Sequence, residues 1–328
     1  MTDSAAWQPS ASIESLQRRA AALATAREFF AARHVMEVET PVLCRHGVTD
    51  PHVESIPAGR PADSRWLRTS PEYHMKRLIA AGSKDIYQIG KVFRAGETGR
   101  YHQPEFTMIE WYRLGFSLDD MINETCSLIS TLSQHNERVV REFKRIDYRE
   151  AFINTCGLDP FVADIESLRS CAISLPQAPC DDRLAEQLGD DRHAWLDYLA
   201  GHSVYPALRG DALWVVEAYP AEQAMLARLN PDDPALAERF EVFFDGIELA
   251  NGFRELRDAD EQAARFANDR ATRSSRGLRD MLPDSMLLAA LKEGLPDCCG
   301  VAVGLDRVLM PGELPPDIAA TMSFAPGY

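Results

Sequence analysis

Residues 93–113 read FRAGETGRYHQPEFTMIEWYR. An apolar strand runs up to Phe93, and an alternating strand starts at Glu105. Between them, Arg94, Glu97, Arg100 and His102 crowd a turn that leads to an aromatic residue, Phe106. A solvated turn needs no arginine at its neck, whereas a nucleotide site does, because a guanidinium grips phosphate or carboxylate oxygens with two parallel bonds. Successive strand residues alternate in direction, so Phe106, Met108, Glu110 and Tyr112 share one face. Phe106 is placed to stack on a purine, and Glu110 and Tyr112 to reach deeper polar groups. A charged surface turn is the rival reading.

A second hairpin lies at residues 239–256, RFEVFFDGIELANGFREL. Asp245-Gly246 is a two-residue turn signal. That turn puts Glu241 and Glu248 on one face as diagonal neighbours, about 7–8 Å apart at Cα. Two carboxylates so placed call for a cation between them, and magnesium that also takes phosphate oxygens suits hard oxygen ligands. Their spacing also fits a helical stripe, but Asp245-Gly246 and Asn251-Gly252 break a helix. The face of Glu255 is left open, since a bulge at Gly252 would change it. A third element, GVAVGLDR at 300–307, offers Gly300 and Gly304 for close backbone approach to a ligand. Its Asp306-Arg307 pair reads equally well as a surface cap.

Around these lie a helix over roughly 12–32, a strand in HVMEVETPVL stopped by Pro41, and a polar loop over 45–65. SPEYHMKRLIAAG predicts a helix with Ser70 at its N-cap and Pro71 in its first turn. Further helices are expected near 117–135 and 258–275, a strand at ALWVVEAYP, and a helical insertion around 155–210. Strands that pair through hairpins, with helices apart from them, predict an α+β fold: a mixed, mainly antiparallel sheet flanked by helices, in one domain spanning 1–328. The glycine fingerprints of Rossmann and P-loop sites are missing.

Hydrophobic residues make up 45% of the 328, enough for a large core. The net charge of −15 argues against a broad nucleic-acid face and favours a basic partner. The seven cysteines are scattered, odd in number and without ligand spacing, which points to free thiols in a reducing compartment. The first 30 residues have no apolar signal core, and no run approaches a membrane span, so a cytoplasmic protein is expected.

Taken in order, REFFAARHVMEVETPVL, FRAGETGRYHQPEFTMIEWYR and GVAVGLDRVLM resemble the three signatures of class II aminoacyl-tRNA synthetase catalytic domains, over nearly the whole chain. PEFTMIEWY and GIELANGFREL look lysyl-type. The helix that carries the first signature begins close to residue 12, leaving no room for the anticodon-binding domain of lysyl-tRNA synthetases. The chain is therefore most similar to their free-standing paralogues, the elongation factor P–(R)-β-lysine ligases. A truncated enzyme charging tRNA and an inactive binding paralogue are the alternatives. Retention of both arginines and the hairpin acids disfavours the inactive form. The charge and the missing domain disfavour tRNA.

The resemblance implies ATP bound over the sheet, with Arg94 on the α-phosphate and the substrate carboxylate, and Arg307 on the γ-phosphate. Phe106 would stack on adenine, and Ala95, Gly96, Gln103, Leu249 and Gly304 would line the nucleotide. Glu241 and Glu248 would bind Mg2+. Ser70, Pro71 and Glu72 would frame the amino-acid pocket, and Tyr112 and Glu255 would receive ammonium groups of (R)-β-lysine or lysine. Elongation factor P would accept the amino acid, with no tRNA or membrane as partner. The helix and strand of the first signature would form a homodimer interface. Three features depart from the family pattern: Arg94-Ala95-Gly96-Glu97 in place of Arg-x-Glu, Gln103 in place of the frequent Asn, and a short Pro-rich tail after Met310. Ala302 also stands where lysyl-tRNA synthetases carry glycine in GMGIDR.

Overall fold

The computed structural model describes residues 7–60, 64–136, 140–176, 180–310 and 317–325. The elements run α1 (Ile13–Ala31), β1 (Met36–Glu37), β2 (Leu43–Cys44), β3 (Pro57–Ala58), β4 (Arg65–Leu67), α2 (Glu72–Ala80), β5 (Ile86–Phe93), β6 (Glu105–Leu114) and α3 (Leu118–Ser133). They continue through β7 (Glu142–Asp147), α4 (Tyr148–Cys156), α5 (Ile165–Ile173), α6 (Asp182–Leu188), α7 (Arg192–Leu199), β8 (Ala212–Pro220), β9 (Leu236–Phe244) and β10 (Ile247–Arg254). Last come α8 (Ala259–Ser275), α9 (Ser285–Gly294), β11 (Cys298–Gly304) and the short α10 (Leu305–Val308).

Two compact units divide these elements: Met1–Val139 with Gly252–Tyr328, and Val140–Asn251. In the first, the strand order is β1-β5-β6-β11, with β5–β6 and β6–β11 antiparallel and β1 parallel to β5. A separate three-stranded sheet is ordered β2-β4-β3. In the second unit, β9 lies between β10 and β8, and β7 runs parallel to β8 beside helices α4 to α7. The α+β architecture, a mixed and mainly antiparallel sheet with flanking helices, is the one read from the sequence.

Local chemistry explains the helix ends. Ser12 caps α1 by accepting from Ser15 N–H at 3.1 Å. Ser117 and Asp120 form a reciprocal capping box at α3. Phe30 on α1 stacks on Tyr87 of β5, with ring centroids 4.2 Å apart, and both are buried. The β5–β6 hairpin closes where Arg94 N–H donates to Pro104 O at 2.9 Å, so Arg94 does sit at the neck of its loop. Asp245 and Gly246 both take positive φ, 49° and 79°, as the left-handed two-residue turn between β9 and β10 demands.

Four details differ from the sequence reading. The strand expected in HVMEVETPVL shrinks to Met36–Glu37, because Thr40 N–H turns to the Gln88 side chain at 2.8 Å and leaves the ladder. Pro71 is the N-cap of α2, one residue later than predicted, although Ser70 Oγ still accepts from Glu72 N–H at 3.0 Å. The loop over 45–65 contains β3, and residues 61–63 of it lie outside the described residues. Strand β7 and helix α9 were not anticipated; α9 carried a signal in Asp284, which accepts from Met286 and Leu287 N–H. Within the expected insertion, residues 177–179 are outside the described residues, as are 311–316 of the Pro-rich tail.

Candidate active site

Register builds the site floor. Glu110 on β6 lies between Gln88 on β5 and Ala302 on β11, and Tyr112 is flanked by Ile86 and Gly300. One turn of the pleat away, Met108 lies between Gly90 and Gly304. Alternation puts Phe106, Met108, Glu110 and Tyr112 on the same face as Gly300, Ala302 and Gly304, so β11 offers almost bare backbone there. The need for glycine is sharpest at 300, where a Cβ would lie 2.2 Å from Glu255 Oε1 and 2.5 Å from Tyr112 Cε1.

Over this floor the chain gathers carboxylates away from water. Glu110 accepts from Ser70 Oγ–H at 2.7 Å and from Tyr112 Oη–H at 2.8 Å. Glu255 is fully buried, held by its own N–H donating to Cys298 O at 3.0 Å. Lys76, 1% exposed, places Nζ 2.5 Å from both Glu72 Oε1 and Glu255 Oε2. Oε2 of Glu255 is thus taken by Lys76, and Oε1 has no hydrogen-bond partner among the described residues. Burial, reinforced by Glu72, pushes the Glu110 carboxyl up to about 7. Burial, with Glu72 and Glu110 adding to it, pushes Glu255 up to about 8 despite Lys76. The Lys76 ammonium is held above its ordinary range, because Glu255 and Glu72 outweigh its own burial. A dry pocket with an unsatisfied carboxylate is built for ammonium donors.

At the hairpin loop, the Arg94 guanidinium lies over the Phe106 ring, 5.2 Å from its centroid, and 3.6 Å from Glu97. Glu97, one place later than the family pattern, thus faces the arginine. Arg94 Nε and the buried Gln103 Oε1 have no hydrogen-bond partner among the described residues, which is how a site awaiting a polar ligand looks. Ala95 N–H donates to Glu54 O at 2.8 Å, and Gly96 takes φ 78°. Arg307 donates through Nε to Tyr101 O at 3.1 Å and meets His102 Nε2 at 2.7 Å. Its neighbour Asp306 is buried and accepts from Thr107 N–H at 2.5 Å and from Arg19 at 2.6 Å. The surface-cap reading of Asp306 therefore fails.

The second unit holds Glu241, Glu248 and Leu249. Glu241 is buried, accepts from Tyr219 Oη–H at 2.7 Å, and pairs with Arg239. Burial pushes its carboxyl up to about 7, and Glu248 adds to the rise. The cation beside Glu241 is thus Arg239, which the sequence reading did not single out. Leu249 is buried and Glu248 partly so. Carboxylate oxygens are the donor type magnesium takes, but Tyr219 and Arg239 hold both oxygens of Glu241, so it would have to release one of them to join Glu248 on the ion.

Ser70, Glu72, Tyr112 and Glu255 are brought into one cluster, and Arg94 and Phe106 into another contact. Lys76 went unread: in sequence, Glu72 and Lys76 look like an ordinary solvated i,i+4 helix pair. Glu110 was placed on the right face, to reach deeper polar groups, but not in the amino-acid pocket.

A family profile described as tRNA synthetases class II (D, K and N) matches residues 6–324. Two proteins named elongation factor P–(R)-beta-lysine ligase, from Yersinia pestis (strain Pestoides F) and Yersinia pseudotuberculosis serotype O:1b (strain IP 31758), are similar to it. Each is 44% identical over 316 residues, covering 94% of this chain and 94% of the relative. The resemblance read from the three signatures is borne out: the chain belongs to the class II tRNA synthetase family (D, K and N).

Proposed function

We propose that the chain is an ATP-dependent carbon–nitrogen ligase that activates (R)-β-lysine or lysine as an adenylate and transfers it to a lysine side chain of elongation factor P. The observation that carries this reading is the buried carboxylate cluster with an unsatisfied Glu255, in a chain so similar to proteins bearing the ligase name. In the first step the substrate carboxylate attacks the α-phosphorus of ATP and pyrophosphate leaves. Phe106 stacks on the adenine, while Ala95, Gly96, Gln103 and Gly304 line the nucleotide. Arg94 draws together the α-phosphate and the attacking carboxylate, and Arg307 holds the γ-phosphate. Catalysis is then positioning plus stabilisation of charge gathering on phosphate oxygens. Glu241 and Glu248 would hold Mg2+, which when bound neutralises phosphate charge.

Ser70, Pro71 and Glu72 frame the amino acid, and Tyr112 and Glu255 take its ammonium groups. In the second step a protein lysine amine attacks the adenylate carbonyl, an amide forms and AMP departs. No side chain in the cluster is assigned as base for that step, and the departing phosphate is suited to it. We read residues 1–328 as one catalytic domain, a view supported by the span of the family match, and as a cytoplasmic homodimer. Among the described residues, no helix is long and apolar enough to cross a membrane.

Pyrophosphate exchange dependent on (R)-β-lysine or lysine tests activation. Transfer of labelled amino acid to elongation factor P, and none to tRNA, tests the acceptor. Exchange without transfer to elongation factor P would refute the acceptor, and labelled tRNA would favour a synthetase.

A further inference from the structure

Lys76 is the cation that touches the carboxylate cluster, and its surroundings are unusual for a helix lysine. It projects from α2 into the pocket with 1% of its side chain exposed and meets a carboxylate on each side at 2.5 Å. The Phe253 ring lies 5.5 Å from Nζ. Facing it are Glu72 from its own helix, Glu110 and Tyr112 from β6, Glu255 from the end of β10, and the Cys298 thiol from β11. Arg68 is also near Glu110, but it spends its guanidinium on Thr40 O, Thr40 Oγ1 and Lys91 O. Asp284 is used in capping α9.

We propose that Lys76 is a positioning residue that sets amino-acid selectivity: as a built-in counterion it leaves the three-carboxylate cluster, when all three are ionised, two net negative charges, a match for a substrate with two ammonium groups. This rests on the reading of the pocket as a lysine-type site. A purely structural tie between α2 and Glu255 is a poor alternative, because apolar packing of the same volume would serve at least as well as a buried ion pair. Lys76 also fixes where the charge stands. It draws Glu72 and Glu255 to one point, and leaves Glu110 to its hydroxyl partners Ser70 and Tyr112. Oε1 of Glu255, turned away from Lys76, keeps its lone pairs free for an incoming donor.

Charge balance has a readout that a structural tie lacks. A protonated carboxyl cannot pair with an ammonium, so diamine affinity should rise with pH through the range in which Glu110 and Glu255 ionise. Without Lys76 these carboxylates face one another uncompensated and hold their protons to higher pH. Without the charge of Glu72 they release them earlier, since Glu72 raises both.

The test is calorimetric titration of the full chain with (R)-β-lysine, L-lysine and the monoammonium analogue norleucine, from about pH 6 to about pH 9. Wild type should bind both diamines and discriminate against norleucine. Lys76→Met should move the pH midpoint of diamine binding up by about one unit, roughly tenfold in affinity below the midpoint. Glu72→Gln should move it down, and Lys76→Arg should leave it near wild type. Lys76→Met and Glu72→Gln midpoints that both match wild type, with binding weakened equally at every pH, would overturn the proposal. If Lys76→Met does not fold, the Glu72→Gln arm decides alone: no downward shift overturns it. A wild type that binds neither diamine overturns the lysine-type reading, and this inference with it.

Discussion

A methyl group at position 300 would sit 2.2 Å from Glu255 Oε1 and 2.5 Å from Tyr112 Cε1, far inside van der Waals contact. Either Glu255 or Tyr112 must then move. Gly300→Ala is expected to raise the amino-acid KM at least tenfold in pyrophosphate exchange, while the KM for ATP changes little. Equal changes in both would mean a general loss of fold. Two residues on, Ala302 lies opposite Glu110 on the same face. Its methyl narrows the floor beside the substrate, and one methyl is worth about 1–3 kcal/mol of discrimination. Ala302→Gly is expected to narrow the preference for (R)-β-lysine over α-lysine; an unchanged ratio of kcat/KM values would remove Ala302 from the account. Position 302 stood out in the sequence because it interrupts a recognisable motif. Lys76 did not, because only burial separates it from a solvated lysine, and burial on α2 depends on Glu255 arriving from a distant part of the chain.

At the level of elements, both hairpins were legible because local chemistry decides them. Asp245-Gly246 forces a left-handed turn, and the 105–112 alternation fixes which side chains share a face. Strand β1 was overread because a strand's length depends on what its partner offers, and Gln88 takes over the bonding at Thr40. Strand β7 was missed because five of its six residues are exposed, so its pattern of charge resembles loop. The link from β11 to α10 shows the same dependence on distant partners. Asp306 joins β6 through Thr107 N–H and α1 through Arg19. Asp306→Ala would leave the buried Thr107 N–H unpaired and take the carboxylate from Arg19, which keeps Thr107 Oγ1 and Thr321 O, costing about 1–3 kcal/mol. Urea unfolding should report that loss, and the ATP KM should rise as the β11–α10 link that carries Arg307 loosens. An unaltered unfolding midpoint would show that Asp306 bears no such load.

For the whole molecule, the family and the α+β class were readable from three signatures, whereas the division at residues 140 and 252 was not, since no linker composition marks it. Met36, Val42 and Leu43 in the first signature are 52%, 40% and 51% exposed, large apolar groups on an otherwise acidic protein. A homodimer would cover them. Light scattering at micromolar concentration should return twice the chain mass, and a monomer mass would exclude the dimer. The pocket also bears on heat tolerance. Glu110 and Glu255 have folded-state pKa values raised to about 7 and about 8 from an ordinary 4.5. The folded chain therefore keeps protons that the unfolded chain releases. Their contribution to stability is present at acidic pH and shrinks as pH climbs from the ordinary carboxylate range through those raised values. A bound diamine supplies the missing positive charge and cancels the loss. Lysine should accordingly raise the melting temperature more at pH 8 than at pH 6, and equal shifts would contradict this. An enzyme made this way is most fragile when starved, so its resistance to heat and to proteolysis becomes a gauge of the diamine supply around it.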